Sequence, residues 1–102
     1  MLSLAKRQAL RYTAPVPLTE EERRRLGANL RNARKARGLS QPALARQLEP
    51  VRDGGVVSRQ VVDQIERGTR GMTVDRLVDL AAALEVPLES LVAGVIQRSA
   101  EK

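Results

Sequence analysis

Residues 40–68 read SQPALARQLEPVRDGGVVSRQVVDQIERG. Ser40 is placed to cap one helix, and Pro42 is tolerated in that helix's first turn. Leu44, Ala45 and Leu48 form its inward side. Ser58 is placed to cap a second helix over about residues 59–67, and Gly68 ends it. The loop between them, residues 49–57, contains Asp53-Gly54-Gly55, a strong turn signal. At 100° per residue, Arg59, Gln60, Asp63, Gln64 and Arg67 fall within an arc of about 140°. Val61, Val62 and Ile65 take roughly the opposite arc, so the second helix has one apolar and one polar face.

The same logic extends outward from this pair. Upstream, Thr19 and Glu22 have the spacing of a capping box, and Glu20 and Glu21 favour the positive end of a helix. Leu26, Leu30 and Ala33 then recur at i, i+4 and i+7, which predicts a helix that Gly38 stops. Downstream, Thr73 caps a helix with Val74, Leu77, Ala81 and Leu84 as its stripe. A short helix follows near Leu88 to Ala93, opened by Pro87 and broken by Gly94. No strand pattern and no internal repeat is present, so the expected fold is all-α with five helices. The expected organisation is an arm over residues 1–18, a domain over residues 19–94 and a tail over residues 95–102. Ala14-Pro15-Val16-Pro17 makes the end of the arm an extended linker, because prolines one residue apart block helix.

Composition narrows the function. The 102 residues contain no Cys and no His. Disulfides and thiolate metal sites are therefore impossible, and the commonest metal ligand and general base are missing. No metal or cofactor is expected. No paired carboxylates form a recognisable constellation either, so an enzyme is not expected. No apolar run approaches the roughly 18 residues of a membrane helix, and residues 1–10 are too polar for a signal peptide. A cytoplasmic protein, nucleoid-associated and encoded by a bacterium or phage, is the expectation.

The net charge is +6, and it is uneven: residues 19–37 carry +4 and residues 71–102 carry −2. Such a bias supplies sequence-independent attraction to a polyanion, although a solvated surface has the same composition. Of the basic residues 15 are Arg and 3 are Lys. Arg is the better bidentate partner of phosphate and guanine, but a GC-rich genome gives the same excess. Tyr12 is the sole aromatic residue. Single-strand readers need several aromatics for stacking, so duplex DNA read by Arg and Gln in the major groove is the favoured partner.

The ordered set Leu26-Gly27-Ala28-Asn29-Leu30-Arg31-Asn32-Ala33-Arg34, Arg37-Gly38-Leu39-Ser40-Gln41, Leu44-Ala45, residues 57–68, Leu77, Leu80-Ala81, Leu84, Val86-Pro87-Leu88 and Leu91 resembles the phage-repressor-like helix-turn-helix family (the Xre, Cro and lambda-repressor group). The likeness spans about residues 24–93. Residues 68–77 also look, more loosely, like actinobacterial developmental regulators of this family. The resemblance implies a compact lambda-repressor-like domain and a transcriptional regulator, a homodimer on a palindromic operator. It places Ser58, Arg59, Gln60 and Gln64 at base-contacting positions, and Gln41, Arg67, Thr69 and Arg70 at phosphate-contacting ones. It makes Arg34 and Glu66 a partly buried ion pair between the first and third helices. The departure lies in the turn. Glu49 replaces the family's usual Gly after Leu48, and the loop runs about five residues longer, which gives Arg52 a route to phosphate.

Other readings stay open at this level. Asp63 has the chemistry to accept from cytosine or to hold Arg59 or Arg67 along the helix. Arg23-Arg24-Arg25 reads better as a solvated helix end than as a groove contact. The basic arm is as consistent with disorder as with a groove-inserting tail. Val95 and Ile96 read as dimer surface or frayed tail. A protein-interaction module on the same fold, an antitoxin or coactivator-like bridge to a toxin or RNA polymerase, is the competing function.

Overall fold

A computed structural model describes residues 16–48 and 57–97. Among these residues five helices follow one another: α1 (Glu20–Ala36), α2 (Gln41–Gln47), α3 (Arg59–Arg67), α4 (Val74–Leu84) and α5 (Leu88–Val92). Among the described residues there is no strand, and the fold is all-α as the pattern predicts. The expected arm up to residue 15, the loop residues 49–56 with Arg52, and the tail from residue 98 lie outside the described residues.

Local chemistry sets the helix ends. Thr19 Oγ1 accepts from the Glu22 N–H at 3.1 Å, and Glu22 Oε1 accepts from the Thr19 N–H at 2.9 Å. This closes the capping box and satisfies two otherwise orphaned donors. Ser40, Ser58 and Thr73 cap α2, α3 and α4 in the same way, each accepting from the N–H three residues on. Gly68 ends α3 in the left-handed region at φ 78°. The α4 terminus is less expected: Glu85 takes the left-handed conformation at φ 57°, a geometry that usually selects glycine.

The core gathers Leu26 and Leu30 from α1, Leu44 from α2, Val62 and Ile65 from α3, Leu77, Leu80 and Leu84 from α4, and Leu91 from α5. The α1 helix packs on both α3 and α5, and α2 packs on α3. Gly27 is the crossing point of α1 and α3. A Cβ built there lies 2.3 Å from the Glu66 carbonyl oxygen, so the helices approach as closely as they do only because that side chain is missing. Asn29 fastens α5 to α1 by donating to the Leu91 and Ala93 carbonyls at 2.8 and 2.9 Å.

Three expectations change. Val95 is neither tail nor dimer surface: it is 2% exposed and belongs to the core, while Ile96 beside it is half-exposed. The packed domain thus reaches past residue 94. At the other end, the Val16 N–H donates to the Met72 carbonyl at 2.8 Å, so the last residues of the expected linker are tied to the domain. Within Arg23-Arg24-Arg25, two of the three side chains are structural. Arg23 donates to the Gly68 and Leu18 carbonyls at 3.1 and 3.0 Å. Arg25 donates to the Val95 carbonyl at 3.0 Å. Only Arg24 behaves as a solvated end, in a loose pair with Glu20 at 3.6 Å.

Candidate nucleic-acid interface

The outward face of α3 is fixed from behind. Val62 and Ile65 are sunk in the core, and Val61 packs at its edge. Arg59 and Gln60 are exposed, and Gln64 is half-buried. Ser58, one of the expected base-contacting residues, has its hydroxyl oxygen engaged by the Val61 N–H at 3.3 Å.

Behind this face sits a buried ion pair. Arg34 Nε donates to Glu66 Oε2 at 2.6 Å, and Arg34 Nη2 donates to Glu66 Oε1 at 3.0 Å. The two side chains are 9% and 5% exposed. Arg34 also donates to the Leu39 carbonyl at 2.8 Å. The fork geometry satisfies both carboxylate oxygens, which a buried charge requires. The hydrogen bond to Glu66 raises the Arg34 pKa above its already high ordinary value, and burial opposes that shift only in part. Arg34 therefore remains charged at any ordinary pH.

Gln41, expected on a phosphate, turns inward instead. Its amide nitrogen donates to Asp63 Oδ1 at 3.2 Å and to Glu66 Oε1 at 3.1 Å. Its oxygen accepts from Arg59 Nη1 at 3.4 Å. An amide has two N–H groups and here both point at carboxylates, so no side-chain donor remains for a phosphate in this geometry. Asp63 in turn accepts from Arg67 Nε at 3.0 Å, one helical turn on. The Gln41 hydrogen bond is the main cause that holds the Asp63 pKa below the usual aspartate range, helped by Arg67 and Arg59. Between α1, α2 and α3 these groups line a cleft of about 470 Å³, with exposed Arg31 at its edge.

Just after α3 the chain folds back. The Thr69 N–H and hydroxyl both donate to the Gln64 carbonyl, at 3.0 and 3.3 Å. Arg70 Nη1 donates to Gln64 Oε1 at 3.0 Å. Arg59, Gln60, Gln64, Arg67, Thr69 and Arg70 all lie on α3 or in the turn after it, whereas Gln41 joins the interior network. The sequence reading takes Arg23 and Arg25 as part of a solvated helix end and gives Arg31 no role of its own. Arg23 and Arg25 find partners 45 and 70 residues away, and no local pattern signals such contacts.

A family model described as a helix-turn-helix domain matches residues 25–93. The chain belongs to the helix-turn-helix family. Solved relatives agree with the phage-repressor-like kind. The restriction-modification controller protein C.AhdI from Aeromonas hydrophila is 30% identical, with a TM-score of 0.62 over 71% of this chain and 94% of that one. The DNA-binding domain of BldD is 35% identical, with a TM-score of 0.61 over 72% of this chain and 97% of that one. An HTH_3 family transcriptional regulator from Vibrio cholerae is 32% identical, with a TM-score of 0.61 over 74% of this chain and 39% of that one. No curated protein matches the chain in sequence. The helix-turn-helix domain therefore has the fold of DNA-binding transcriptional regulators. Among the described residues no helix is long and apolar enough to cross a membrane.

Proposed function

We propose that this helix-turn-helix protein is a sequence-specific regulator of transcription that reads duplex DNA in the major groove with α3. One observation carries the reading. Arg59, Gln60 and Gln64 stand outward on a helix whose other face is locked into the core and whose C-terminal end leads straight into Arg67, Thr69 and Arg70. Base-edge donors and acceptors backed by a rigid scaffold and flanked by phosphate-binding cations are what groove reading needs. Arg59, Gln60, Gln64 and Ser58 take the bases, and Arg67, Thr69 and Arg70 take phosphates; Arg52 is a further phosphate partner in the lengthened loop. Gln41 reaches a phosphate only by giving up one of its two carboxylates. The solved relatives support the regulatory role, and a cytoplasmic location goes with that role.

The protein acts as a homodimer on a palindrome, with recognition helices about 34 Å apart. Val78, Leu88, Val92 and Ile96 support this, because they are 49%, 37%, 38% and 52% exposed although large and apolar. Leu88 and Val92 are one turn apart on α5 and share one exposed side of it. Selection of bound duplexes from a randomised pool tests the reading. A palindromic motif is expected, and Arg59→Ala should relax preference at one base pair per half-site. No enrichment over random DNA at moderate salt refutes it. Isolation with a stoichiometric protein partner and no duplex preference would favour the antitoxin-like alternative instead.

A further inference from the structure

The geometry points to Arg70 as the residue that decides which base Gln64 reads: guanine with Arg70 in place, adenine without it. The inference rests on α3 reading DNA as proposed above.

The argument begins at Gly68. Its left-handed φ of 78° reverses the chain at the end of α3. Two hydrogen bonds from Thr69 to the Gln64 carbonyl fix that reversal. Arg70, six residues on in sequence, is thereby returned to the side chain of Gln64 and donates to its Oε1 at 3.0 Å. A guanidinium has donors and no acceptor, so the amide must turn its oxygen to Arg70 and its two N–H groups away. The amide orientation thus follows from chemistry rather than from assignment of the two end atoms.

That orientation changes the recognition code. A free glutamine reads adenine bidentately, with its oxygen accepting from N6 and its nitrogen donating to N7. With one lone pair of its oxygen held by a cation, Gln64 is a poorer acceptor outward, while its two N–H groups stay free to donate. Adenine presents an acceptor and a donor, so its N6 amino group then meets a weakened acceptor beside a positive charge. Guanine presents two acceptors, N7 and O6, and matches. A phosphate contact by Arg70 alone would confer no such preference, because phosphates carry no sequence information.

The test uses the full chain and duplexes with a randomised centre, at one salt concentration, for wild type, Arg70→Ala, Arg70→Met, Gln64→Ala and the double variant Gln64→Ala with Arg70→Ala. The wild-type motif should hold a guanine in each half-site that Gln64→Ala leaves degenerate. Both Arg70 variants should turn that position toward adenine, and the guanine-over-adenine ratio should fall about tenfold or more. In Gln64→Ala, adding Arg70→Ala should change that ratio no further, since Arg70 acts through the missing amide. Variants that keep the wild-type motif, with affinity lowered equally for every sequence or unchanged, overturn this inference and leave groove reading intact. A wild type that enriches no motif overturns both.

Discussion

Gly27→Ala separates two lines of physical reasoning, because they give opposite signs. In an isolated helix the change is favourable by about 0.8–1 kcal/mol, since glycine is the poorer helix former. In the folded protein the new Cβ lands 2.3 Å from the Glu66 carbonyl oxygen, 2.6 Å from that of Ile65 and 2.7 Å from the Glu66 carbonyl carbon. Ordinary contact begins at 3.4 Å, so the shortfall is 3.4 − 2.3 = 1.1 Å. All three atoms are backbone, and no rotamer change removes them. The α3 helix must therefore move away from α1 as a body. That movement pulls on the Arg34–Glu66 pair at 2.6 Å and on the Arg23 bond to the Gly68 carbonyl at 3.1 Å. Overpacking of this kind costs about 1–3 kcal/mol, and rigid backbone places it at or beyond the upper end. After the helix-propensity gain, a net loss of about 2 kcal/mol or more is expected. Urea denaturation of wild type and variant measures it. Gly71→Ala is the control, because nothing lies within 4 Å of its Cβ and its φ is not positive. It should be neutral or stabilise by up to about 1 kcal/mol. If Gly27→Ala proves as stable as wild type, the close crossing of α1 and α3 is refuted.

Three further outcomes follow from the same geometry. Glu66→Ala should cost about 3–5 kcal/mol, because it leaves the Arg34 charge buried and unpaired, while Arg34→Met with Glu66→Leu should cost less than either single change; equal denaturation midpoints for Glu66→Ala and wild type would contradict this. Glu85→Gly relieves left-handed strain of about 1–2 kcal/mol and gives up an exposed pair with Arg37, 2.6 Å long, worth under about 1 kcal/mol. Its thermal midpoint should stay level or rise, and a clear fall counts against strain at Glu85. Asp63 has its pKa lowered by Gln41, then by Arg67 and Arg59, so its contribution is complete above the unfolded aspartate pKa and is lost as pH falls through the lower folded value. Asp63→Asn should therefore differ least from wild type in acid, and an NMR titration of the Asp63 carboxyl at or above the ordinary range would rule this out.

Much of the fold was legible because its signals are local. Each cap joins residues three apart: Thr19 to Glu22, Ser40 to Ala43, Ser58 to Val61, Thr73 to Arg76. The apolar stripes repeat every three or four residues. Such information survives in a one-dimensional string, and the polar face of α3 is its direct consequence. The Arg34–Glu66 placement came from family likeness rather than from any pattern in the string.

What the sequence determined by itself was therefore the set of helices, most of their ends and the residues α3 turns outward. Only the tertiary structure decided what those residues are bound to. Gln41 lies 22 residues from Asp63 and 25 from Glu66, and their meeting depends on how α2 crosses α3. Val95 entered the core because α5 and the turn after it fold back onto α1, where Arg25 and Asn29 hold them. Gly27 matters because another helix passes over it. The physical reason is common to all of these. Capping and amphipathic periodicity are energies between neighbours in the chain, whereas a hydrogen-bonding side chain takes whichever partner the packing of whole helices brings within 3 Å or so.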